Sequence, residues 1–253
     1  MAIGSVIKSR LDKKSDDYKA NLAEMQKLWD VVAAEMANVP GIGGQRYVDR
    51  HRQRGKMLVR ERIENLIDPN TPFLELSPLA AWGTEDPIGV GIASGIGTIE
   101  GVECLITGTD MTVRGGSANP TTWKKSQRFT EIAKENRLPV INLNESAGAD
   151  LPRQADLFIQ GGASFRDLTQ LSQMGIPTIT MAFGPNTAGG AYTPGTSDYT
   201  VFVKDRATAY LGGPPLVKMA IDEVVDEESL GGADMHSRTS GLSDFLAQDE
   251  MDA

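Results

Sequence analysis

Three pairs of small residues are the part of this 253-residue sequence best suited to chemistry. They are Gly115 with Gly116, Ala147 with Gly148, and Gly189 with Gly190. Small side chains let a ligand oxygen approach peptide N–H groups, and each such donor stabilises an enolate or a tetrahedral oxyanion by roughly 3 kcal/mol. Turn geometry alone explains any single pair equally well. The three together predict an anion-stabilising site made mainly of backbone.

Catalysis by side chains has few candidates. The two histidines, His51 and His236, do not have the spacing of a metal site or of a base beside a nucleophile. Ser146 lacks the Gly-x-Ser-x-Gly turn of serine hydrolases. The Walker motif and a Gly-x-Gly-x-x-Gly run between a strand and a helix are also missing. We therefore expect no serine hydrolysis, nucleotide hydrolysis or hydride transfer, and no metal bound by this chain.

Two strands are predicted to position these turns. Residues 138–143 and 176–181 are apolar runs that begin with Xaa-Pro, and proline is tolerated at the start of a strand because no ladder donor is needed there. Helices are predicted from Pro120 to about residue 136, capped by Asn119, and over residues 164–174. Alternating strands and helices predict an α/β fold with a parallel sheet, in which the small-residue turns meet at the carboxyl ends of the strands.

The first third of the chain has a different pattern. An apolar stripe predicts a helix over residues 16–37, packed either in the core of its own chain or against another subunit. The stripe consists of Leu22, Met25, Trp29, Val32 and Met36. Residues 73–113 are rich in glycine and β-branched residues, which predicts strands with a hairpin turn at Glu100 and Gly101.

Composition limits the function classes. An apolar content of 40% is enough for a sizeable core, and a net charge of −9 argues against a nucleic-acid partner. No run approaches the ~18 apolar residues of a membrane span, and the single cysteine, Cys104, is interpreted as a small buried apolar residue. We expect a cytoplasmic protein, or an organelle-matrix protein from which a targeting segment was removed. The last five residues carry no helix stop or apolar anchor, so the chain is expected to be one portion of a longer polypeptide.

The sequence resembles the amino-terminal half of the carboxyltransferase (β) subunit of biotin-dependent acyl-CoA carboxylases, from about residue 46 to residue 253. The most specific motifs are the Ala-Gly-Gly-Ala-Tyr run at 188–192 and the Gly-Gly-Ala-Asp-Met-His run at 231–236. The other motifs lie at residues 60–63, 66–69, 113–116, 146–149 and 211–218.

This resemblance implies a crotonase-like fold, a spiral of ββα units, over residues 46–253, with residues 1–45 as a helical extension and the family's carboxyl-terminal half outside this chain. It also implies that the N–H groups of Ala147 and Gly148 hold the thioester oxygen of an acyl-CoA. The family usually has glycine where this chain has Ala147, and alanine is compatible with the site if its φ is negative. Contacts to CoA or biotin are implied for Gly115, Gly116, Ala149, Ala188, Gly189, Gly190 and Tyr192.

The activity implied by the resemblance is transfer of CO2 from carboxybiotin to an acyl-CoA. The runs at 151–158, 214–218 and 231–234 are more similar to the methylcrotonoyl-CoA and geranyl-CoA type, which favours a branched or unsaturated acyl group such as 3-methylcrotonoyl; propionyl-CoA or acetyl-CoA is the alternative. The sequence has no Met-Lys-Met biotinylation motif. The implied partners are therefore a biotin carboxylase with its biotin carrier, the carboxyl-terminal carboxyltransferase half, and further copies of the chain.

Other functions remain open at this level. A biotin-dependent acyl-CoA decarboxylase uses the same half-reaction in reverse, and a non-catalytic assembly subunit would only bind CoA. A hydratase or isomerase of the crotonase type needs a glutamate acid/base, for which Glu145 is the candidate. The basic segment at residues 46–62 is interpreted either as a phosphate-binding element for CoA or as a helix that faces solvent or another subunit.

Overall fold

The computed structural model describes residues 8–253, apart from the side chains of residues 158–160. The chain divides into two compact units, one ending at Val39 and one beginning at Pro40. The first unit contains helix α1, Asp16–Asn38, whose N-cap Ser15 accepts a hydrogen bond from the Tyr18 N–H at 3.2 Å. The predicted helix is confirmed. None of its residues is buried, so what covers its apolar stripe stays a prediction.

The second unit has an α/β architecture, as predicted. Its helices are α2 Gln45–Gln53, α3 Val59–Leu66, α4 Pro120–Asn136, α5 Gln154–Gln173, α6 Tyr192–Thr196, α7 Pro214–Ile221, α8 Glu227–Gly231 and α9 Ala233–Met235. Its strands are β1 Leu74–Glu75, β2 Ile92–Ile99, β3 Val102–Thr109, β4 Val140–Ser146, β5 Thr178–Thr187, β6 Tyr199–Val203, β7 Thr208–Tyr210 and β8 Phe245–Ala247.

The described strands form one sheet in the order β1-β2-β3-β4-β5-β6-β8, and β7 also pairs with β5. Strand β2 is antiparallel to both of its neighbours, β1 and β3, and the pairs from β3 onward are parallel. The β2–β3 hairpin turns at Glu100 and Gly101, whose φ angles are 49° and 76°. Two positive φ angles suit the right-handed twist of a hairpin, so the predicted turn is confirmed.

The centre of the sheet is packed on both faces. Ile106 of β3 pairs with Ile141 of β4, and both belong to an apolar cluster with Ile63 of α3. The adjacent residues Leu105 and Val140 belong to a second cluster with residues from α4 and α5. Because successive side chains of a strand point to opposite faces, β3 and β4 are held between α3 on one face and α4 with α5 on the other.

Most local predictions for this region are confirmed. Pro139 and Pro177 lie directly before β4 and β5, and Asn119 caps α4 by accepting a hydrogen bond from the Thr122 N–H at 2.9 Å. The predicted start of α5 at residue 164 is wrong, because the helix begins ten residues earlier and continues through Gly161 and Gly162. A glycine inside a helix destabilises the helix by about 1 kcal/mol relative to alanine. Here the packing of the long helix against α4 outweighs that loss.

No helix in the described part of the chain is both long enough and apolar enough to cross a lipid bilayer.

Candidate active site at the ends of three parallel strands

The three small-residue turns follow three neighbouring strands. The turn with Gly115 and Gly116 comes after β3, and the other two come directly after β4 and β5. A cavity of about 370 Å³ lies against them. Seven of the nine residues singled out from the sequence line it: Gly116, Gly148, Ala149, Ala188, Gly189, Gly190 and Tyr192. Gly115 and Ala147 are not among the lining residues, although each is adjacent to one that is.

The rest of the cavity wall is mainly apolar. Helix α4 supplies Trp123 and Phe129, and helix α5 supplies Phe165 and Leu171. This wall is not predictable from the sequence, since apolar residues three or four apart on a helix predict burial in a core just as well. A wall of this composition suits the apolar part of a ligand, with the polar reacting atoms at the backbone turns.

The turn after β4 has the backbone geometry of a donor site. Gly148 has φ of 90°, which favours glycine, and Ala147 is not among the residues with positive φ, so alanine fits there without strain. The Gly148 N–H donates to Ser146 Oγ at 3.1 Å, whereas the Ala147 N–H has no hydrogen-bond partner among the described residues. Of the two predicted donors, one is therefore engaged by a neighbouring hydroxyl and one is unpaired.

The turn after β5 packs directly against this turn. A Cβ atom on Gly190 would lie 2.6 Å from Ser146 Cβ, so only glycine allows the two turns to approach this closely. Asn144 Nδ2 links the turns further by donating to the Gly190 carbonyl at 3.2 Å and to Asn186 Oδ1 at 2.7 Å. The two backbone turns are thus held as one unit.

Tyr192 and Phe165 meet at the partly exposed part of the cavity wall. Their rings are edge-to-face with centroids 4.8 Å apart, and the two residues are 43% and 41% exposed. Such a pair adds about 0.5–1.5 kcal/mol beyond its buried area. The contact connects α6 to α5 beside the backbone turns.

A polar recess adjoins the apolar cavity, and Ser117 lines both. Its central group is the Asp86 carboxylate, which accepts hydrogen bonds from Arg153 Nη1 at 2.7 Å and Thr121 Oγ1 at 3.1 Å. Arg114 Nη1 lies 3.4 Å from the same carboxylate. The structure therefore places a charged, hydrogen-bonded region next to the apolar one.

Glu145, the candidate acid/base of a hydratase or isomerase, is fully buried and does not line the cavity. Its carboxylate forms ion pairs with Lys56 Nζ and, at 2.7 Å, with Arg62 Nη1. Burial raises the pKa of Glu145, but the charges of Arg62 and Lys56 outweigh it and hold that pKa below the ordinary value. A carboxylate paired on both oxygens is unsuited to proton transfer, so this candidate role is wrong.

The basic segment divides into two parts. Arg46, Arg50 and Arg52 lie at exposed positions of α2, which fits the interpretation of a helix that faces solvent, whereas Lys56, Arg60 and Arg62 pair with carboxylates of the chain. Arg62 is buried and binds Glu250 through Nε and Nη2 at 2.9 and 3.0 Å, and Arg60 forms a two-point pair with Glu75 at 2.6 and 2.7 Å. Because carboxylates of the chain pair with Lys56, Arg60 and Arg62, these three cations do not serve as free phosphate ligands.

In the part of the chain that the structure describes, no three His, Cys, Asp or Glu residues are placed to hold a metal ion. Cys104 is 4% exposed and belongs to an apolar cluster, and burial raises the pKa of its thiol. His236 is also buried, with its ring nitrogens 2.8 Å from Ser240 Oγ and from the Ala209 carbonyl. Neither Cys104 nor His236 lines the cavity.

Known proteins share this sequence at high identity. A protein named probable biotin-dependent acyl-coenzyme A carboxylase beta2 subunit, from Mycobacterium tuberculosis, is 55% identical over 248 residues, which is 98% of this chain and 47% of that protein. The probable mitochondrial methylcrotonoyl-CoA carboxylase beta chain of Drosophila melanogaster is 47% identical, over 97% of this chain and 44% of that protein. The chain spans about half the length of these relatives.

Solved structures share the fold. The geranyl-CoA carboxylase beta subunit of P. aeruginosa overlaps 98% of this chain and 46% of its own with a TM-score of 0.81 at 38% identity. A transcarboxylase 12S structure with methylmalonyl-coenzyme A bound overlaps 90% of this chain and 45% of its own, with a TM-score of 0.83 at 30% identity. The crotonase-like fold predicted from the resemblance is confirmed. Residues 50–253 match the family described as the carboxyl transferase domain, and the chain belongs to that family.

Proposed function

We propose that this chain is the acyl-CoA-binding part of the carboxyltransferase component of a biotin-dependent acyl-CoA carboxylase, which moves CO2 from carboxybiotin to an acyl-CoA. The observation that carries the proposal is the cavity beyond β3, β4 and β5, where two backbone turns meet an apolar wall. Membership of the carboxyl transferase family supports the same activity. Crotonase-type hydration loses support because Glu145 is buried in ion pairs.

The proposed acyl group is branched or unsaturated, such as 3-methylcrotonoyl. The aromatic and aliphatic side chains of α4 and α5 in the cavity wall suit such a group. Two similar proteins support this choice by name, since one is a methylcrotonoyl-CoA carboxylase chain and another is a geranyl-CoA carboxylase subunit. The likeness to a transcarboxylase that binds methylmalonyl-coenzyme A supports a smaller acyl group as the alternative.

In the proposed complex, the thioester oxygen lies against the turn after β4. The Ala147 N–H is unpaired, and the Gly148 N–H exchanges its bond to Ser146 Oγ for one to the substrate oxygen. Two backbone donors would then stabilise the enolate that forms when the acyl group loses its acidic proton, which the ureido nitrogen of biotin would take after CO2 is released. Carboxybiotin, carried by a partner, would supply the CO2. The residues proposed to face CoA or biotin are Gly115, Gly116, Ala149, Ala188, Gly189, Gly190 and Tyr192.

The complete enzyme needs further parts. We propose that residues 46–253 form the crotonase-like domain and residues 1–45 a helical extension. The family's carboxyl-terminal half, which lies outside this chain, would supply the remainder of the active site. A biotin carboxylase with a biotin carrier and further copies of the chain complete the assembly, in the cytoplasm or in an organelle matrix. The shares of 47% and 44% that the chain covers in its relatives support a missing half.

Reconstitution tests this proposal. The chain is combined with a carboxyl-terminal half and a biotinylated carboxylase subunit of its family, and ATP-dependent carboxylation is measured on acetyl-, propionyl-, 3-methylcrotonoyl- and geranyl-CoA. We expect turnover with the branched, unsaturated substrates to exceed that with acetyl-CoA. Binding of acyl-CoA without turnover in the full assembly would instead identify a non-catalytic assembly subunit.

A further inference from the structure

A turn with three consecutive left-handed residues forms part of the cavity wall. Gly89, Val90 and Gly91 have φ angles of 77°, 49° and 70°, and Val90, Gly91 and Ile92 line the cavity. A left-handed conformation costs a non-glycine residue about 1–2 kcal/mol, and a β-branched side chain such as that of Val90 adopts it rarely. Such strain persists only where surrounding contacts impose it.

The backbone of the chain and helix α4 both hold this conformation. The Gly89 and Val90 N–H groups donate to the Ala80 and Pro87 carbonyls at 2.8 and 3.0 Å, and side chains of α4 donate to carbonyl groups of the turn. Lys125 Nζ donates to the Gly89 carbonyl at 3.1 Å and to the Ile92 carbonyl at 2.7 Å, and Thr122 Oγ1 donates to the Val90 carbonyl at 3.3 Å. The remaining carbonyl, that of Gly91, accepts the Asp110 N–H at 2.8 Å. The carbonyl groups of residues 89–92 therefore each accept a hydrogen bond, and the Lys125 ammonium donates two of these bonds.

Lys125 has an unusual environment for a lysine. It is 5% exposed and forms no salt bridge with the described residues. Burial lowers the pKa of its ammonium to about 8, while Glu75 opposes the shift and Arg60 adds to it. Its ammonium lies 5.6 Å from the centroid of the Phe129 ring, and its hydrogen bonds go to carbonyl groups. A buried cation without a carboxylate partner costs free energy that an apolar side chain would avoid. Both of its hydrogen bonds go to the segment that contains the strained turn.

From this geometry we infer that Lys125 is a positioning residue for the acyl cavity, fixing the left-handed turn at residues 89–91 so that Val90 and Gly91 form a wall against the acyl group. The inference rests on the proposed function, because it assumes that this cavity takes the acyl part of an acyl-CoA. Lys125 does not itself line the cavity, so it acts through the turn and not by touching substrate.

The test compares Lys125→Met with Lys124→Met, since Lys124 is the exposed neighbour on the same helix. Affinities of the full chain for 3-methylcrotonoyl-CoA and for free CoA are measured by calorimetry, with thermal unfolding to establish that each variant is folded at the assay temperature. We expect Lys125→Met to weaken acyl-CoA binding by about fivefold or more and free CoA binding by less than about twofold, while Lys124→Met changes neither. Hydrogen exchange of the amides at residues 88–92 should quicken in Lys125→Met alone.

Equal weakening for both ligands, or unchanged acyl-CoA affinity, would overturn the inference. If Lys125→Met does not fold, Lys125→Gln, which keeps an N–H donor group, is measured against the same criteria. Failure of the proposed function has a different signature, because the unaltered chain would then bind no acyl-CoA at all.

Discussion

Arg62 donates a 2.7 Å hydrogen bond from Nη1 to Glu145 Oε2 within a fully buried ion pair. The pair connects α3 to the residue directly before Ser146, where the candidate anion-stabilising turn begins. Arg62 also binds Glu250 with its other nitrogens, and its guanidinium lies 4.2 Å from the Phe183 ring centroid. Arg62 thus connects three distant parts of the chain, one of which leads directly into the turn after β4.

Glu145→Gln should destabilise the fold by about 3 kcal/mol or more, because it leaves the buried cations Arg62 and Lys56 without full compensation. Urea unfolding followed by circular dichroism measures this loss. The matched control is Glu131→Gln, which removes an exposed ion pair to Arg128 and should cost less than about 1 kcal/mol. Equal effects of the two variants would show that the buried pair does not stabilise the fold.

The same pair predicts an acid dependence of stability. Because the folded-state pKa of Glu145 lies below its unfolded value of 4.5, the unfolded chain binds the proton more readily. The stabilisation from this group is therefore fully present above the unfolded pKa and is lost as the pH falls through the folded pKa. Unfolding of wild type and Glu145→Gln between pH 7 and pH 3 should give a stability difference that is constant above about pH 5 and shrinks below it. A stability difference that stays constant down to pH 3 would show that folding does not lower the pKa of Glu145.

Local chemistry explains which features the sequence predicted. Pro139 and Pro177 mark the starts of β4 and β5 because proline restricts φ and lacks a donor, and Asn119 marks the start of α4 because its side chain caps the helix. The small-residue turns follow from the same reasoning, since the ends of adjacent parallel strands meet at one edge.

Features that depend on contacts between distant residues were not predictable in this way. Arg62 lies 83 residues from Glu145 and 188 from Glu250, so only the folded chain identifies these partners. The early start of α5 was missed because Gly161 and Gly162 have low helix propensity, which tertiary packing overrides. Trp123 and Phe165 were missed because a cavity-lining side chain and a core side chain have the same helical spacing.

Gly148→Ala tests the turn after β4. A proline substitution would also remove the N–H donor, but the proline ring is incompatible with the φ of 90° at this position, so alanine disrupts the turn less. Alanine keeps the N–H donor but destabilises this φ by about 1–2 kcal/mol, which should move the donor and lower kcat/KM by about tenfold or more. The control is Gly241→Ala, with φ of 74°, open space for a Cβ and no position in the cavity wall. If both variants lose stability equally and neither loses activity in the reconstituted enzyme, the turn has no part in catalysis.

Gly190→Ala tests the contact between the two turns, and Gly195→Ala in α6 is its control. A Cβ at residue 190 would lie 2.6 Å from Ser146 Cβ, whereas a Cβ at residue 195 would have no atom within 4 Å and residue 195 does not line the cavity. Gly190→Ala must therefore push the turn after β5 away from the turn after β4, and it should weaken acyl-CoA binding by about tenfold, while Gly195→Ala should change it by less than about threefold. Calorimetric titration of each folded variant with 3-methylcrotonoyl-CoA measures the difference. Adding Ser146→Gly to Gly190→Ala removes the clashing Cβ and should recover part of the affinity, because the two positions are then energetically coupled. Additive losses in the double variant would mean that the contact between the turns does not set the geometry of the site.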